Sequence, residues 1–416
     1  MGVLKKERNM TLIHWVIWFC LSLTIIYNSG YLIMTTSSSI GVYLLIIATA
    51  PLAILMLKSG LLLRPNNWFV IGFYTFFGTY VFSFIVNMEI ASMNLYLHYL
   101  LSLVFVFSLV VILDFDRFVV SFLLLMKWIT VISLIMFFLI EYLGIVFDFN
   151  LIENINGRMY FDAILYFYPQ YGLAARNQAL FWEPGLFASF LIIAMVFEIC
   201  FKKEKISKLN MVIFFIGLAT AQSTAGFVLF LLVIILLISK NKKNSSLIII
   251  YLFILLLGTL LLIFYRDVVL FLSQFSPELF NKLIYEGGFE STRFSAPLVN
   301  LNIFFSNPLF GVGLGSATRL FTDLGAMYGV FSQTSTSTFF LAALGFSGIF
   351  YTIFWVYSIL NLKRLNSLSR FIILTIFLII LNKEPHYSIL VTNCILFYFL
   401  KEASIGYGNK LSKYKQ

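Results

Sequence analysis

One segment near the middle of the chain places an arginine seven residues before a carboxylate that precedes a proline and a glycine. It reads Arg176-Asn-Gln-Ala-Leu-Phe-Trp-Glu183-Pro184-Gly185. Proline and glycine here favour a helix start, so Glu183 would lie at the positive end of the helix dipole. Two interpretations of Glu183 stay open: it caps the helix, or it accepts or orients a proton during a reaction.

A second segment combines charged residues with a glycine-rich run. Glu290 and Arg293 come first, then Asn307-Pro-Leu-Phe-Gly311-Val-Gly313-Leu-Gly-Ser316, then Arg319. Gly311 and Gly313 could let backbone amides approach an anion closely, although simple turns also explain such a run. Ser335, in the hydroxyl-rich stretch 333–338, could bind hydroxyls or cap the next helix. His386 lies in the last predicted outer turn and is a further candidate. A lone histidine in an outer turn is, however, more often an ordinary surface residue.

The composition decides the class of protein that carries these residues. Of 416 residues, 61% are apolar and 11% charged, against roughly 45–50% and about 25% in soluble domains. A soluble enzyme, a disordered tail protein and a secreted disulfide scaffold are therefore excluded. The net charge of +10 would suit a nucleic-acid partner, but its distribution along the chain argues against one. The sequence predicts an all-α polytopic membrane protein in which residues 1–416 form a single integral membrane domain.

Apolar runs long enough to cross a hydrocarbon core of about 30 Å define the predicted spans. Long runs occur at 11–30, 40–57, 68–86, 95–113, 118–140, 184–201, 247–265 and 339–360, and shorter ones at 209–222, 224–239, 371–382 and 386–400. The pattern predicts about twelve transmembrane helices.

The distribution of lysine and arginine predicts the orientation. A cytoplasmic N-terminus places 20 of the 28 basic residues inside and seven outside, as expected because cytoplasmic loops carry the excess of positive charge. Both termini are then cytoplasmic. Two long loops, 141–183 and 266–338, are extracytoplasmic, and short surface helices are expected in them. Such long connections are more often functional than idle.

At this point the order of features resembles a known family. Arg176 with Glu183-Pro184-Gly185 is similar to the arginine-to-Glu-Pro element of Wzy-type O-antigen or repeat-unit polymerases. Arg293, followed by the run from Asn307 to Gly313, resembles the second-loop element that these polymerases share with the O-antigen ligases. The resemblance covers residues 176–350, and the number of spans and the placement of loops match along the rest.

The resemblance implies a membrane-embedded glycosyltransferase. It would polymerise oligosaccharide repeat units linked to polyprenyl diphosphate into a surface polysaccharide (O-antigen, capsule or exopolysaccharide) at the periplasmic or extracellular face of the plasma membrane. The residues expected to bind diphosphate or glycan are Arg158, Arg176, Arg293, Arg319, Gly311, Gly313 and Ser335. Glu183, Glu290 and His386 compete for the role of base. Arginine can neutralise a diphosphate by bidentate contacts, so neither a metal nor another cofactor is expected.

The partners expected are the lipid-linked donor and acceptor glycans and the bilayer, with a chain-length regulator and a flippase as further candidates. Thr334 stands where the ligases carry a histidine, which favours a polymerase. Ala179 stands where many polymerases show a glycine. A glycan ligase is the nearest alternative, and a flippase or other transporter of lipid-linked oligosaccharide is the alternative of a different class.

Overall fold

The computed structural model describes residues 12–34, 46–47, 49–50, 68–145, 149–153, 159–163, 166–169, 176–241, 295–327, 330 and 333–413. Helices dominate this part of the chain. Most of the predicted span 40–57 and all of 247–265 lie outside the described residues, so they stay predictions.

Within the described residues, the predicted spans fall largely on helices. The helices are α1 (Leu12–Met34), α2 (Trp68–Asn87), α3 (Met93–Ile112), α4 (Phe115–Phe137), α5 (Pro184–Cys200), α6 (Lys208–Ala221), α7 (Thr224–Asn241), α8 (Ser295–Ser306), α9 (Leu314–Met327), α10 (Thr336–Leu344), α11 (Ile349–Leu360), α12 (Ser367–Lys383) and α13 (Leu390–Lys413). Within the described residues, four helical stretches are long and apolar enough to cross a membrane: Trp68–Asn87, Ile90–Ile112, Phe115–Tyr142 and Thr336–Leu360. They fit a membrane-embedded protein.

The prediction of an all-α fold is wrong for part of the segment 141–183, where short helices were expected. Three short strands, β1 (Asn150–Glu153), β2 (Met159–Asp162) and β3 (Phe167–Pro169), form an antiparallel sheet in that order. Aromatic residues favour strands, and here they pack together. The rings of Phe161 and Tyr168 stack with centroids 4.7 Å apart, and Tyr166 and Tyr168 form a small core with Phe137 at the end of α4.

The predicted span over 339–360 lies within the stretch Thr336–Leu360, which is long and apolar enough to cross a membrane, but its helix is interrupted. Gly345, at φ +63°, ends α10, and a 3₁₀ turn over Gly345–Gly348 separates it from α11. Glycine adopts this backbone conformation without the steric cost that a side chain would add. In the same way α13 begins at Leu390, four residues after the start of the predicted span 386–400, so His386 lies in the turn before it.

The chain forms two compact units. The first comprises Met1–Leu62, Val104–Phe230 and Ile389–Ile395, and the second comprises Leu63–Leu103, Leu231–Ser388 and Leu396–Gln416.

The first unit is built around α5, which is buried from Gly185 to Ile199. A helix that is apolar on every side suits such a central position. Phe122 of α4 packs against Phe190 and Phe197 of α5, with ring centroids 6.4 and 5.3 Å apart. At the C-terminal end of α5, the buried carboxylate of Glu198 accepts hydrogen bonds from Lys202, Ser207 and Asn210. These contacts hold the end of α5 against the start of α6.

Aromatic rings also form much of the core of the second unit. Trp355 of α11 is fully buried and stacks on Phe377 of α12, with centroids 4.9 Å apart. Phe76 of α2 packs against Phe397 of α13 with centroids 5.9 Å apart. This packing supports the helix ends and turns that carry the polar side chains of the unit.

Candidate functional site

In the first unit, Arg176 contacts the C-terminal end of α6. Its Nε donates to the carbonyl of Ala221 (3.3 Å) and its Nη2 donates to the carbonyl of Gln222 (3.1 Å). Terminal carbonyls of a helix have no intrahelical partner and carry partial negative charge, so a guanidinium is favourable there. Arg176 is therefore held in place by a helix end.

The next residue, Asn177, anchors the same segment more firmly. Its side chain is fully buried and donates to the hydroxyls of Ser133 on α4 and Thr220 on α6, and its backbone amide donates to the Thr220 carbonyl. The position of Arg176 is thus fixed by three separate contacts of its neighbour.

Glu183 occupies the N-cap position of α5, with Pro184 in the first helical turn. Its backbone is extended, its carbonyl accepts from the amide of Phe187 (3.2 Å), and its side chain makes no capping hydrogen bond. Glu183 therefore occupies the capping position, but it caps α5 through its backbone carbonyl and not through its carboxylate. The half-buried carboxylate is not committed to a capping role.

In the second unit, the glycine run caps the broken helix. The amides of Val312 and Gly313 donate to the carbonyls of Ala342 and Ala343 at the end of α10 (3.0 and 2.9 Å). These carbonyls lose their helical partners because the helix stops at Gly345. The run therefore supplies the hydrogen bonds that the break removes.

The anion that this run approaches is a side chain of the protein itself. The carboxylate of Glu89, in the turn between α2 and α3, accepts hydrogen bonds from the amides of Gly315 (3.2 Å) and Ser316 (2.6 Å) in the first turn of α9. It also accepts one from the hydroxyl of Tyr96 (2.8 Å), which in turn accepts from the amide of Leu314 (3.0 Å). A carboxylate at a helix N-terminus is favoured by the dipole.

The same arrangement explains why glycine is needed in the run. Gly311 and Gly313 have φ values of +69° and +88°, a region that L side chains rarely adopt. A Cβ at Gly311 would overlap the Ala343 carbonyl, and one at Gly313 would overlap the Glu89 carboxylate. The amides of both glycines already donate within the protein, that of Gly311 to Asn307 and that of Gly313 to Ala343.

A chain of polar side chains lies at the start of α10. The hydroxyl of Ser335 donates to Asn382 (2.8 Å) and accepts from Thr338 (2.7 Å). Asn300 donates to Thr338 (3.0 Å) and exchanges two hydrogen bonds with Gln333 (2.9 and 2.8 Å). Ser335 and Asn300 are fully buried. Three separate stretches of sequence thus meet at this helix end.

His386 lies beside this chain, in the turn after α12. Its backbone amide donates to the Thr336 hydroxyl and to the Glu384 carbonyl (2.8 Å each). The residue is fully buried, which contradicts the interpretation as an ordinary surface histidine. Burial, and secondarily the charge of Lys383, lowers the pKa of His386 to about 3. At neutral pH the imidazole is therefore uncharged and a weak base.

This pKa predicts a pH-dependent stability. Between pH 3 and 6.5 the unfolded histidine binds a proton that the folded one does not, so stability should fall as the pH is lowered through that window, by up to about 1.4 kcal/mol per pH unit. Thermal unfolding at pH 5 and 7 should therefore differ less for His386→Gln than for the wild-type protein. An equal difference in both would contradict the assignment.

The remaining predicted site residues are not brought together by the described structure. Arg319 is exposed on α9. Arg158, Glu290 and Arg293 lie outside the described residues, so the expected convergence of Arg176 and Arg293 on one diphosphate stays a prediction. Among the described residues there is no group of three or more His, Cys, Asp or Glu side chains that could hold a metal ion.

Four residues that make the side-chain contacts described above were not identified from the sequence. They are Glu89, Asn177, Asn300 and Asn382. Glu89 carries one recognisable signal: it is an acidic residue between two long apolar runs. For the three asparagines, the sequence offers no signal, because their partners come from distant segments.

Comparison with known proteins adds no family assignment. No family model, no curated protein and no solved structure matches the chain.

Proposed function

We propose that the protein is a multi-pass glycosyltransferase of the plasma membrane. It would join oligosaccharide repeat units carried on polyprenyl diphosphate, at the periplasmic or extracellular face. The chain of buried amides and hydroxyls around Ser335 carries this proposal. Such groups both donate and accept hydrogen bonds, as sugar hydroxyls require, and a few well-placed polar groups in apolar surroundings are typical of small-molecule sites.

The contacts between predicted extracytoplasmic segments support the proposed twelve-span topology. In each case the two partners lie in predicted outer segments or, for Gln222 and His386, at the outer end of a predicted span. The contacts join Glu89 to Gly315 and Ser316, Thr336 to His386, and Arg176 to Gln222.

Contacts between predicted cytoplasmic segments support it in the same way. Lys203 pairs with Asp116 (2.7 Å), Arg364 pairs with Glu402 (2.8 Å), and the hydroxyls of Ser239 and Ser369 lie 3.4 Å apart. A topology that placed these partners on opposite faces of the bilayer would be inconsistent with the contacts. The cytoplasmic location of both termini rests on the distribution of lysine and arginine along the sequence.

In the proposed reaction, the acceptor hydroxyl forms a bond to the anomeric carbon of the donor glycan while the bond to the lipid diphosphate breaks. The diphosphate leaves with the bonding electrons, and an arginine of the same unit as Ser335, such as Arg319, would neutralise its charge. The hydroxyl proton passes to a base. The low pKa of His386 favours a carboxylate for that role.

The test uses the full chain purified into lipid nanodiscs with lipid-linked repeat units and no added metal. We expect products longer than one unit. Ser335→Ala should reduce their formation by about tenfold or more, in the range seen when an orienting hydrogen-bond donor is removed from an active site. Ser347→Ala is the matched control, because its hydroxyl bonds only within its own turn, to the Leu344 carbonyl.

Absence of elongation by the wild-type protein would reject the proposed reaction. If folded Ser335→Ala elongated the glycan as well as the wild-type protein does, the polar side chains around Ser335 would not belong to the site. The proposed reaction itself would not be contradicted. Transfer of a finished glycan to a different lipid acceptor, with no lengthening, would indicate a ligase.

Transport of lipid-linked oligosaccharide is a second candidate, favoured by the break between α10 and α11. Transporter sites are often formed by discontinuous membrane helices. Vesicles containing the protein and a labelled lipid-linked unit would distinguish the two functions. Movement of the label across the bilayer without any longer product would favour the transporter.

A further inference from the structure

Two neighbouring turns of the second unit expose large apolar side chains. In the turn between α2 and α3, Met88 is 75% exposed and Ile90 74%, and in the segment between α8 and α9, Leu309 is 63% exposed. Phe305 and Phe310 are also exposed. We call these five residues the apolar rim.

The one carboxylate of the turn between α2 and α3 is turned away from this surface, although Ser306 and Asn307 beside Leu309 are exposed. Glu89 lies between Met88 and Ile90 in the sequence, yet it is only 9% exposed and is bound by amides of α9. A turn that faced water would normally expose its carboxylate and bury its apolar side chains. Here the arrangement is reversed.

The next helix shows the opposite pattern, which serves as an internal comparison. On α9, Thr318, Thr322 and Asp323 are exposed, while Ala317 and Phe321 are buried. This is the ordinary distribution for a helix with one face in water. Different parts of the 295–327 stretch are thus suited to different surroundings.

The apolar rim is continuous with the outer surface of two helical stretches that are apolar enough to cross a membrane. The ring of Phe310 contacts that of Phe82 on α2, with centroids 5.7 Å apart. Phe82 is itself exposed, as are Ile85 and Val86 on α2. Phe346, in the turn between α10 and α11, is also exposed, and its amide donates to the Pro308 carbonyl beside Leu309. The residues that continue the rim therefore belong to Trp68–Asn87 and Thr336–Leu360.

We propose that the apolar rim is inserted among the acyl chains of the bilayer. Soluble surfaces rarely carry apolar patches of this kind, and a patch that extends a lipid-facing helix surface is suited to lipid. The segment around Leu309, predicted as part of an extracytoplasmic loop, then enters the membrane. This inference does not depend on the proposed glycosyltransferase activity.

The rim gives the Asn307–Gly313 run two different sides. Gly311 packs against the broken helix and the amides of Val312 and Gly313 donate to it, while the side chains of Leu309 and Phe310 are exposed. Insertion of the outward side would fix the depth of the break at Gly345 relative to the bilayer surface.

The test is the accessibility of single labelled cysteines in the full chain in lipid vesicles. Cys20 and Cys200 are replaced by serine, and Cys394 is kept because it is buried. Met88→Cys and Leu309→Cys carry a small fluorophore, and Thr322→Cys on α9 is the matched exposed control. Fluorescence is measured with a quencher attached to lipid acyl chains and, separately, with aqueous iodide.

We expect positions 88 and 309 to lose most of their fluorescence to the lipid quencher and little to iodide, and position 322 to show the reverse. Quenching of 88 and 309 by iodide to the same extent as 322 would overturn the proposal. Protection of both positions from both quenchers would also overturn it, because it would mean that protein covers the rim.

Discussion

Replacing Gly311 with alanine is expected to prevent the protein from accumulating in folded form. The new Cβ would overlap the carbonyl of Ala343 and the amide of Gly345, and neither backbone group can move without breaking the cap of α10. The positive φ of +69° adds strain. Together these effects should destabilise the protein by more than about 4 kcal/mol, which is exceptional for one substitution.

The matched control is Gly78→Ala in α2, where no atom lies within 4 Å of the added Cβ. Alanine is the better helix former, so this variant should be neutral or slightly stabilised. Size-exclusion profiles and thermal midpoints of detergent-solubilised protein would compare the two. A Gly311→Ala protein as stable as Gly78→Ala would show that the cap of α10 by the glycine run is not formed.

Replacing Glu89 with alanine should have the second largest effect on stability. It removes the acceptor for three donors: the amides of Gly315 and Ser316 and the hydroxyl of Tyr96. Each buried donor left without an acceptor costs about 1–3 kcal/mol, so we expect a loss of about 4 kcal/mol in total. Thermal unfolding of purified protein measures it.

Glu89→Gln separates the charge of this residue from its hydrogen bonds. The amide keeps one acceptor oxygen but loses the charge that favours the helix N-terminus, so the loss should be smaller than for Glu89→Ala. Asp323→Ala, on the exposed side of α9, changes the net charge of the protein by the same amount and should have almost no effect. If Asp323→Ala were as destabilising as Glu89→Ala, net charge rather than this contact would account for the loss.

The helices could be predicted from the sequence because their signal is local. A run of about 20 apolar residues is visible without knowledge of any partner, and the predicted spans in the described part of the chain fall largely on helices. The sheet around Tyr160 could not be predicted in this way. Its strands have three or four residues, too few for an alternating pattern to show.

The candidate site was harder to predict because its contacts are distant in the sequence. Glu89 and Gly315 are 226 residues apart, and Asn382 is 47 residues from Ser335. The amides that meet an anionic side chain are those of Gly315 and Ser316, and not those of Gly311 and Gly313, which donate to backbone carbonyls. The identity of the anionic side chain, Glu89, could not be predicted, because the sequence of the turn between α2 and α3 does not indicate which distant segment this turn contacts.

The exchange of hydrogen bonds between the Asn307–Gly313 run and the end of α10 has a consequence for engineering. Because Val312 and Gly313 replace the missing donors of a helix, that run is a structural part of the span that it meets. A chimaera that took this loop from another protein would have to take residues 342–348 with it. Insertions near Met327, at the exposed end of α9, should be tolerated far better than insertions between Pro308 and Gly313.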